Sequence, residues 1–213
     1  MCADGGGNRL YNLWNEHDRV KYIPNSIVGD LDSLGKEASD YYTSFGTVLY
    51  EDGDQAINDL DKALQWINAQ TKPENLLEQA AEADVDVYAD IDADADADAD
   101  LTRPSRPKER PKESIVILGA QGGRFDQEMA NLHALFRWKK VFDRIILLNE
   151  ECSVCLLEAG YVHHIKPIPE LEGPVCGLIP FNGKVDSITT KGLQWDLTSE
   201  SLEMGERISS SNR

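Results

Sequence analysis

Three glycine–aspartate turns at predicted strand ends most strongly constrain what this chain can fold into. They are CADGGGN at residues 2–8, IVGDLDS at 27–33 and GAQGGRFDQ at 119–127. An apolar run that ends in glycine and leads into a helical pattern is typical of a strand–turn–helix unit. In open α/β sheets, ligands bind beyond the carboxyl ends of the strands. The turns therefore predict an α/β fold with a binding site at one sheet edge.

The residues around these turns alternate between strand and helix patterns. Apolar runs predict strands in NSIVGD, FGTVLYE, SIVILGA and RIILLNE. Residues 54–70 predict a helix, because apolar side chains recur every three or four positions, and Asp54 is predicted to cap it. Residues 122–138 predict a glycine turn and a second helix with the same spacing. The alternation predicts an α/β domain over residues 1–150.

The pattern changes after residue 150. The segments CSVCLLEAG, YVHHIKPI, VCGLIPF, DSITTKGLQWDL and RISSSN read as short strands separated by glycine and proline turns. They predict a small all-β domain over residues 151–213.

Residues 84–113 interrupt the first domain with alternating alanine and aspartate, followed by a basic stretch rich in proline. Such a composition buries too little apolar surface to offset the entropy lost on ordering. We interpret the segment as a disordered insertion. Weak calcium binding by its aspartates is the alternative, although the glycine turn and closing glutamate of a calcium loop are missing.

Charge and composition restrict the classes of partner. The net charge of −17 repels a phosphate backbone, so we expect no nucleic-acid partner. The sequence shows neither a secretory signal nor an apolar run as long as a membrane span. Together with four cysteines, this predicts a cytoplasmic protein with free thiols and no membrane partner. Cys152 and Cys155 lack a second C-x-x-C, and we interpret them as core residues of a strand.

The second turn suggests metal chemistry. Residues i and i+2 of an extended chain point to the same side, so Asp30 and Asp32 would present both carboxylates to one point. Mg²⁺ is commonly bound by one or two carboxylates together with substrate phosphates. The alternative is that one of the two aspartates caps the following helix, which would explain one carboxylate but not both.

The other two turns suggest phosphate binding. Glycines 5–7 would let backbone approach a ligand closely, at the start of a helix whose amides attract anions. Arg124 offers a guanidinium fork for phosphate, and Asp126 is predicted to cap the next helix. The alternative for both is a simple glycine-rich turn.

These motifs together resemble the thiamine pyrophosphokinase family. CADGGGNRLYN is similar to the family's C-A-D-G-G-A-N-R-L-Y, and VGDLDSL to its G-D-x-D-S. DQAINDLDKAL resembles D-Q-x-x-T-D-x-x-K-A-L, and GGRFDQEMANL resembles G-G-R-x-D-H-x-x-A-N. CGLIPF, TKGLQWDL and RISSSN match C-G-L-I-P, T-x-G-L-x-W-x-L and S-T-S-N.

The resemblance implies a parallel-sheet nucleotide-binding domain followed by a β-sandwich that binds thiamine. It also implies a cytoplasmic homodimer whose subunits share the active site. The implied reaction is a kinase-type transfer of pyrophosphate from ATP to the hydroxyl of thiamine, with Mg²⁺ as cofactor. It needs no protein nucleophile, so catalysis would rest on positioning and charge neutralisation.

The resemblance also implies roles for individual residues. Metal and phosphates would be held by Asp30, Asp32 and Asp59. Nucleotide-binding residues would be Asp4, Gly5, Gly6, Gln55, Arg124 and Asp126, and thiamine-binding residues would be Trp195, Ser209, Ser211 and Asn212. The Trp195 indole would stack on the cationic substrate. On residue pattern alone, Trp195 shares a strand face with Leu193 and Leu197, which favours a core position.

The chain departs from the family pattern in several places. Ala56 replaces an acidic residue, Asn58 a threonine and Gln127 a histidine. Family members also carry a strand, a helix and most of a second strand before the first motif, and a β segment after the last. We therefore expect a chain truncated at both ends. The alternative function is a thiamine- or nucleotide-binding remnant that truncation has inactivated.

Overall fold

The structure, a computed structural model, describes residues 1–71 and 113–213. The insertion predicted for residues 84–113 lies outside the described residues, apart from Glu113. The chain divides into two compact units, Met1–Val162 and His163–Arg213. Each unit carries its own set of the predicted site residues.

The first unit begins with a parallel sheet of three strands and the helices that follow each strand. The strands are β1 (Cys2–Ala3), β2 (Ser26–Gly29) and β3 (Val48–Glu51), in the order β1-β2-β3. The helices are α1 (Gly6–Leu13), α2 (Glu16–Arg19) and α3 (Lys36–Ser44). Ile27, Ala38 and Tyr42 form the buried centre between sheet and helices. β2 is buried along its whole length, as its apolar run predicts.

A second sheet completes this unit. β4 (Ser114–Leu118) and β5 (Arg144–Leu148) pair in parallel, and β6 (Ser153–Cys155) pairs antiparallel with β5. The remaining helices are α4 (Asp59–Gln70) and α5 (Phe125–Trp138). α4 contacts β1, β2 and α5. Its position against β1 and β2 brings its first residues to the edge where those strands end.

The strand predictions for this unit are confirmed, but the start of α4 is not. The helix begins at Asp59, and the side chain of Asn58 caps it by accepting from the Asp61 N–H at 2.8 Å. The prediction that Asp54 caps the helix is therefore wrong. Asp54 instead accepts a hydrogen bond from the Ala56 N–H, within the turn that precedes the helix.

The second unit contains four short strands in two antiparallel pairs. β7 (Cys176–Leu178) pairs with β10 (Ser209–Asn212), and β8 (Val185–Ile188) pairs with β9 (Glu200–Leu202). The α/β unit followed by a small all-β unit confirms the predicted fold class. YVHHIKPI forms no strand, although the structure describes all of it, and β9 was not predicted.

Two further predictions concern cysteines and membranes. Cys152 and Cys155 flank and end β6, but both are exposed, so their interpretation as core residues is wrong. β6 is an outer strand of its sheet, and its first and third residues are exposed while Val154 between them is half-buried. Among the helices within residues 1–71 and 113–213, none is both long enough and apolar enough for a membrane span.

Candidate functional site

Three carboxylates meet where β1, β2 and α4 come together. Asp4 follows β1 and Asp30 follows β2, so the parallel pairing of the strands brings both to the same sheet edge. Asp59 is the first residue of α4, which lies against both strands. One carboxylate oxygen from each of the three lies within 4.8 Å of the others. We call Asp4, Asp30 and Asp59 the carboxylate cluster.

Gly29 allows this close approach. A Cβ at Gly29 would lie 2.6 Å from the Cβ of Asp4 and 3.2 Å from Oδ1 of Asp59. A separation of 2.6 Å between two carbons is a steric clash, so a side chain at this position would push the cluster apart. Asp4 itself has a φ of 30°, outside the regions that non-glycine residues usually adopt. The site is therefore built under local steric constraint.

The environment of Asp4 disfavours its ionised form. Its side chain is almost fully buried, and Oδ1 has no hydrogen-bond partner among the residues that the structure describes. Burial, and then the negative charge of Asp59, raise the pKa of Asp4 above its ordinary value. A buried carboxylate oxygen without a partner is costly for the fold. A bound cation would supply the missing interaction.

Asp30 is held in its ionised form. Gln55 Nε2 donates to Asp30 Oδ2 at 2.9 Å, and the Asp32 N–H donates to Asp30 Oδ1 at 3.3 Å. The hydrogen bond from Gln55 contributes most to lowering the pKa of Asp30. The hydrogen bond from Asp32 and the nearby charge of Lys62 lower it further. Gln55 therefore lies at the cluster and orients one of its members.

Lys62 is a charged residue of the site that the sequence analysis did not identify. Its side chain is 1% exposed, and its Nζ lies 3.4 Å from Asp59 Oδ1 and 3.8 Å from Asp30 Oδ2. The spacing of three residues from Asp59 places both on one face of α4. This spacing could have indicated from the sequence that Lys62 lies beside Asp59, but a lysine on a helix usually points into solvent. Here a buried ammonium partly neutralises the carboxylate cluster.

Asp32 lies outside the carboxylate cluster formed by the described residues. The prediction that Asp30 and Asp32 share a side assumed an extended chain, but Leu31 between them has a φ of 58°. Asp32 is exposed, and it accepts a hydrogen bond from the Ser33 hydroxyl at 2.9 Å. The assumption of extended geometry was wrong. Metal binding by Asp32 stays a prediction.

The alternative interpretation of these aspartates as helix caps is also wrong. α3 begins at Lys36 with Gly35 as its N-cap residue, and no described side chain caps it. The Gly35 N–H instead donates to the side chain of Asn8 at 2.8 Å. Asp30 is therefore at the strand end for a reason other than helix capping.

The first glycine turn begins α1. Gly5 is the N-cap residue of this helix and Gly6 is its first residue. A Cβ at Gly7 would lie 2.9 Å from the Leu34 side chain, so close packing accounts for that glycine. Nucleotide binding by Gly5 and Gly6 stays a prediction.

Arg124 and Asp126 form an ion pair with each other. Arg124 Nη2 and Nε donate to the two Asp126 oxygens at 2.5 and 3.1 Å. No described side chain caps α5, so the prediction that Asp126 caps this helix is wrong. The paired guanidinium lowers the pKa of the Asp126 carboxyl. Both side chains are exposed, and their contact with a nucleotide stays a prediction.

Trp195 lies in the second unit, between β8 and β9. It is 57% exposed, whereas Leu197 two residues later is 3% exposed. The strand pattern that favoured a core position for Trp195 is therefore wrong for this residue, which lies in an irregular segment. Ser209 and Asn212 are buried, and Ser211 is exposed with a φ of 56°. Thiamine binding by these residues stays a prediction.

Comparisons with known proteins agree with this arrangement. Residues 1–147 match the family model described as thiamin pyrophosphokinase, catalytic domain, and residues 162–213 match the vitamin B1 binding domain. Thiamine pyrophosphokinase 1 of Oryza sativa is 34% identical, over all of this chain and 70% of that protein. Thiamine pyrophosphokinase 2 of Arabidopsis thaliana is 35% identical, over all of this chain and 69% of that protein.

Solved structures give the same result. Thiamin pyrophosphokinase from Candida albicans superimposes with a TM-score of 0.72 at 28% identity, covering all of this chain and 73% of that one. The yeast enzyme has the same TM-score of 0.72 at 25% identity, covering all of this chain and 70% of that one. The family models cover most of the chain, and the relatives align along its whole length. The chain belongs to the thiamin pyrophosphokinase family.

Proposed function

We propose that this protein transfers pyrophosphate from ATP to thiamine and so forms thiamine diphosphate and AMP. Membership of the family supports the reaction. The structural observation that carries the proposal is the carboxylate cluster, with the buried, unpartnered oxygen of Asp4 and the buried ammonium of Lys62 beside it. Such a group of charges suits a site that handles a metal-bound polyphosphate.

The residues of the cluster fit a divalent cation. Carboxylate oxygens are hard ligands of the kind that Mg²⁺ prefers. Asp4 Oδ1 has no hydrogen-bond partner among the described residues, so it is available to a cation. We propose Mg²⁺ at the carboxylate cluster, held by Asp4, Asp30 and Asp59. A further contact from Asp32 is proposed from the family resemblance alone. A bound cation would neutralise charge on the triphosphate and make its β-phosphorus more electrophilic.

The chain's own residues would position the reactants. Lys62 provides a fixed positive charge, since Asp30 and Asp59 hold its ammonium in a buried place. Gln55 orients Asp30 through its hydrogen bond. Phosphate contacts by Gly5, Gly6, Arg124 and Asp126 are proposed from the family resemblance. A pre-oriented charged site costs no reorganisation when the reaction occurs, and this is a main source of catalytic rate.

The transfer itself needs no covalent enzyme intermediate. The thiamine hydroxyl oxygen bonds to the β-phosphorus of ATP, the bond from that phosphorus to the α-phosphate oxygen breaks, and AMP leaves with the bonding electrons. The hydroxyl proton passes to solvent water. The protein's task is to place the hydroxyl in line with the leaving group.

We place thiamine recognition in the second unit. The exposed indole of Trp195 offers an aromatic face, and a cationic ring over an indole is favourable by about 0.5–2 kcal/mol. Ser209, Ser211 and Asn212 lie at the end of the same unit. The domain division expected from the sequence, 1–150 for ATP and 151–213 for thiamine, differs from the two units of the structure by residues 151–162, whose strand β6 pairs with β5. A cytoplasmic homodimer is part of the proposal, on the strength of the family resemblance.

Product analysis tests the proposed function. Incubation with ATP, thiamine and Mg²⁺ is expected to give AMP and thiamine diphosphate in equal amounts, with no AMP when thiamine or Mg²⁺ is omitted. Chromatography of both products measures the result. ADP with thiamine monophosphate would contradict the pyrophosphate transfer. Thiamine binding without AMP would instead support the alternative, an inactive binding remnant.

A further inference from the structure

Trp195 presents an exposed ring from a backbone that is held firmly. The backbone N–H of Trp195 donates to Asn212 Oδ1 at 3.1 Å, and Asn212 Nδ2 donates to the backbone carbonyl oxygen of Trp195 at 2.9 Å. One side-chain amide thus satisfies both polar backbone atoms of Trp195. Two such contacts fix the orientation of the backbone from which the indole projects.

Asn212 is itself fixed in place. Its side chain is 3% exposed, and Oδ1 also accepts from the Arg213 N–H at 2.9 Å. Asn212 Nδ2 also donates to the Ser209 hydroxyl oxygen at 3.5 Å. An asparagine side chain accepts about two hydrogen bonds and donates two, so these contacts use nearly all its capacity. Asn212 has little left to offer a ligand directly.

The neighbours of Trp195 are held as well. Asp196 accepts from the N–H groups of Gly192 and Leu193 at 3.1 and 3.0 Å. The Gln194 N–H donates to the carbonyl oxygen of Arg213. The segment that carries Trp195 is therefore tied both to itself and to residues 212–213. This order is unusual for an irregular segment with an exposed tryptophan, because loops commonly have few fixed contacts.

We propose that Asn212 is a positioning residue, which holds Trp195 as a preformed aromatic platform for the cationic ring of thiamine. The proposal rests on the proposed function. It changes the role expected for Asn212 from direct ligand contact to support of the residue that makes the contact. A preformed platform lowers the entropy lost on binding, so its loss weakens affinity.

Fluorine NMR tests the positioning without any ligand. The whole 213-residue chain labelled with 5-fluorotryptophan gives one resonance per tryptophan, and Trp195→Phe identifies the resonance of residue 195. Asn212→Ala is expected to shift this resonance and to narrow it as the ring gains freedom. Ser210→Ala, on the same strand but exposed, is the matched control and should leave it unchanged. An identical Trp195 resonance in Asn212→Ala would overturn the proposal.

Thiamine titration tests the consequence for binding. Asn212→Ala is expected to raise the thiamine Kd about tenfold, from two lost hydrogen bonds, and to leave the ATP Kd unchanged. In a Trp195→Ala background the same change should alter the Kd by less than about twofold, because coupled residues are non-additive. A tenfold effect that persists in this background would mean direct contact and overturn the positioning role.

Two controls keep the outcomes separate. Amide spectra of β8 and β9 report whether the second unit of Asn212→Ala is folded. If the second unit of Asn212→Ala is unfolded, the variant Asn212→Asp is used in its place. Aspartate keeps the acceptor for the backbone N–H of Trp195 but loses the donor to the Trp195 carbonyl oxygen. If unmodified protein binds no thiamine, the proposed function fails, and the fluorine spectra still decide whether Asn212 holds the indole.

Discussion

Asp59→Asn is expected to lower the rate of AMP formation by about 10²–10³-fold, the usual cost of removing one charge-stabilising group from an active site. Asp59 Oδ1 lies in the carboxylate cluster and 3.4 Å from the Lys62 ammonium. Asparagine keeps the shape of the side chain but removes its charge, so it weakens both the cation site and the hold on Lys62. Steady-state kinetics with saturating ATP and thiamine measure the change.

The same substitution should not destabilise the fold. The charge of Asp59 contributes to raising the pKa of Asp4, which shows repulsion between the two carboxylates. Removing the Asp59 charge relieves this repulsion but also removes one attraction to buried Lys62, which Asp30 still holds at 3.8 Å. The two effects oppose each other, so we expect little change in Tm. Asp40→Asn is the matched control, because Asp40 pairs only with exposed Lys36 among its described ion-pair partners. Asp59→Asn protein that retains full activity would contradict the assignment.

Asp61→Ala is expected to cost about 1–3 kcal/mol in the free energy of unfolding, the usual cost of leaving a buried hydrogen-bond donor without its acceptor. Asp61 is 1% exposed and connects α4 to α5. Its carboxylate accepts from Trp138 Nε1 at 2.6 Å, from Arg137 Nη1 at 3.1 Å and from Asn58 Nδ2 at 3.1 Å. The alanine would leave the buried indole N–H of Trp138 without its acceptor.

Urea unfolding followed by circular dichroism measures this cost. Asp40→Ala serves as the exposed control, for which a surface pair predicts a loss of about 0.5 kcal/mol or less. In a Trp138→Phe background, the cost of Asp61→Ala should fall, since the N–H that needs Asp61 is already absent. Equal unfolding midpoints for Asp61→Ala and unmodified protein would show that the contact between α4 and α5 does not depend on this carboxylate.

The strands were predictable because their signal is local. Ile27 and Val28 belong to an apolar run that is buried whichever helix covers it, and a glycine and aspartate mark where it ends. The parallel pairing of β1 and β2 then follows from α/β architecture, and it accounts for the meeting of Asp4 with Asp30. Much of the site was thus available from sequence order and fold class.

The failed predictions depended on contacts distant in sequence or on the exact turn geometry. Asn58 rather than Asp54 caps α4 because packing against β1 and β2 sets where the helix begins. YVHHIKPI has the composition of a strand, but a strand also needs a neighbouring strand to pair with. In this unit β7 pairs with β10, and YVHHIKPI forms no strand. Leu31 adopts a left-handed conformation that no residue pattern indicates, since leucine rarely does so.

The missed residues share one cause. Lys62 and Asp61 are charged residues on a helix, and sequence patterns place such residues in solvent. Both are buried because each meets opposite charges or donors from other elements. The family resemblance implied that Asn212 contacts thiamine, whereas in the structure its side chain contacts the backbone of Trp195. Side-chain direction of this kind is set by tertiary packing.

The central claim is that the carboxylate cluster holds a divalent cation, and Mn²⁺ binding measured by electron paramagnetic resonance tests it most directly. We titrate free Mn²⁺ against unmodified protein, Asp30→Asn and Asp40→Asn and follow its signal. The comparison separates the cluster from the aspartates of residues 84–100, which all three proteins keep. We expect tight binding that Asp30→Asn removes and Asp40→Asn preserves. Identical isotherms for the three proteins would contradict a cation site at Asp4, Asp30 and Asp59.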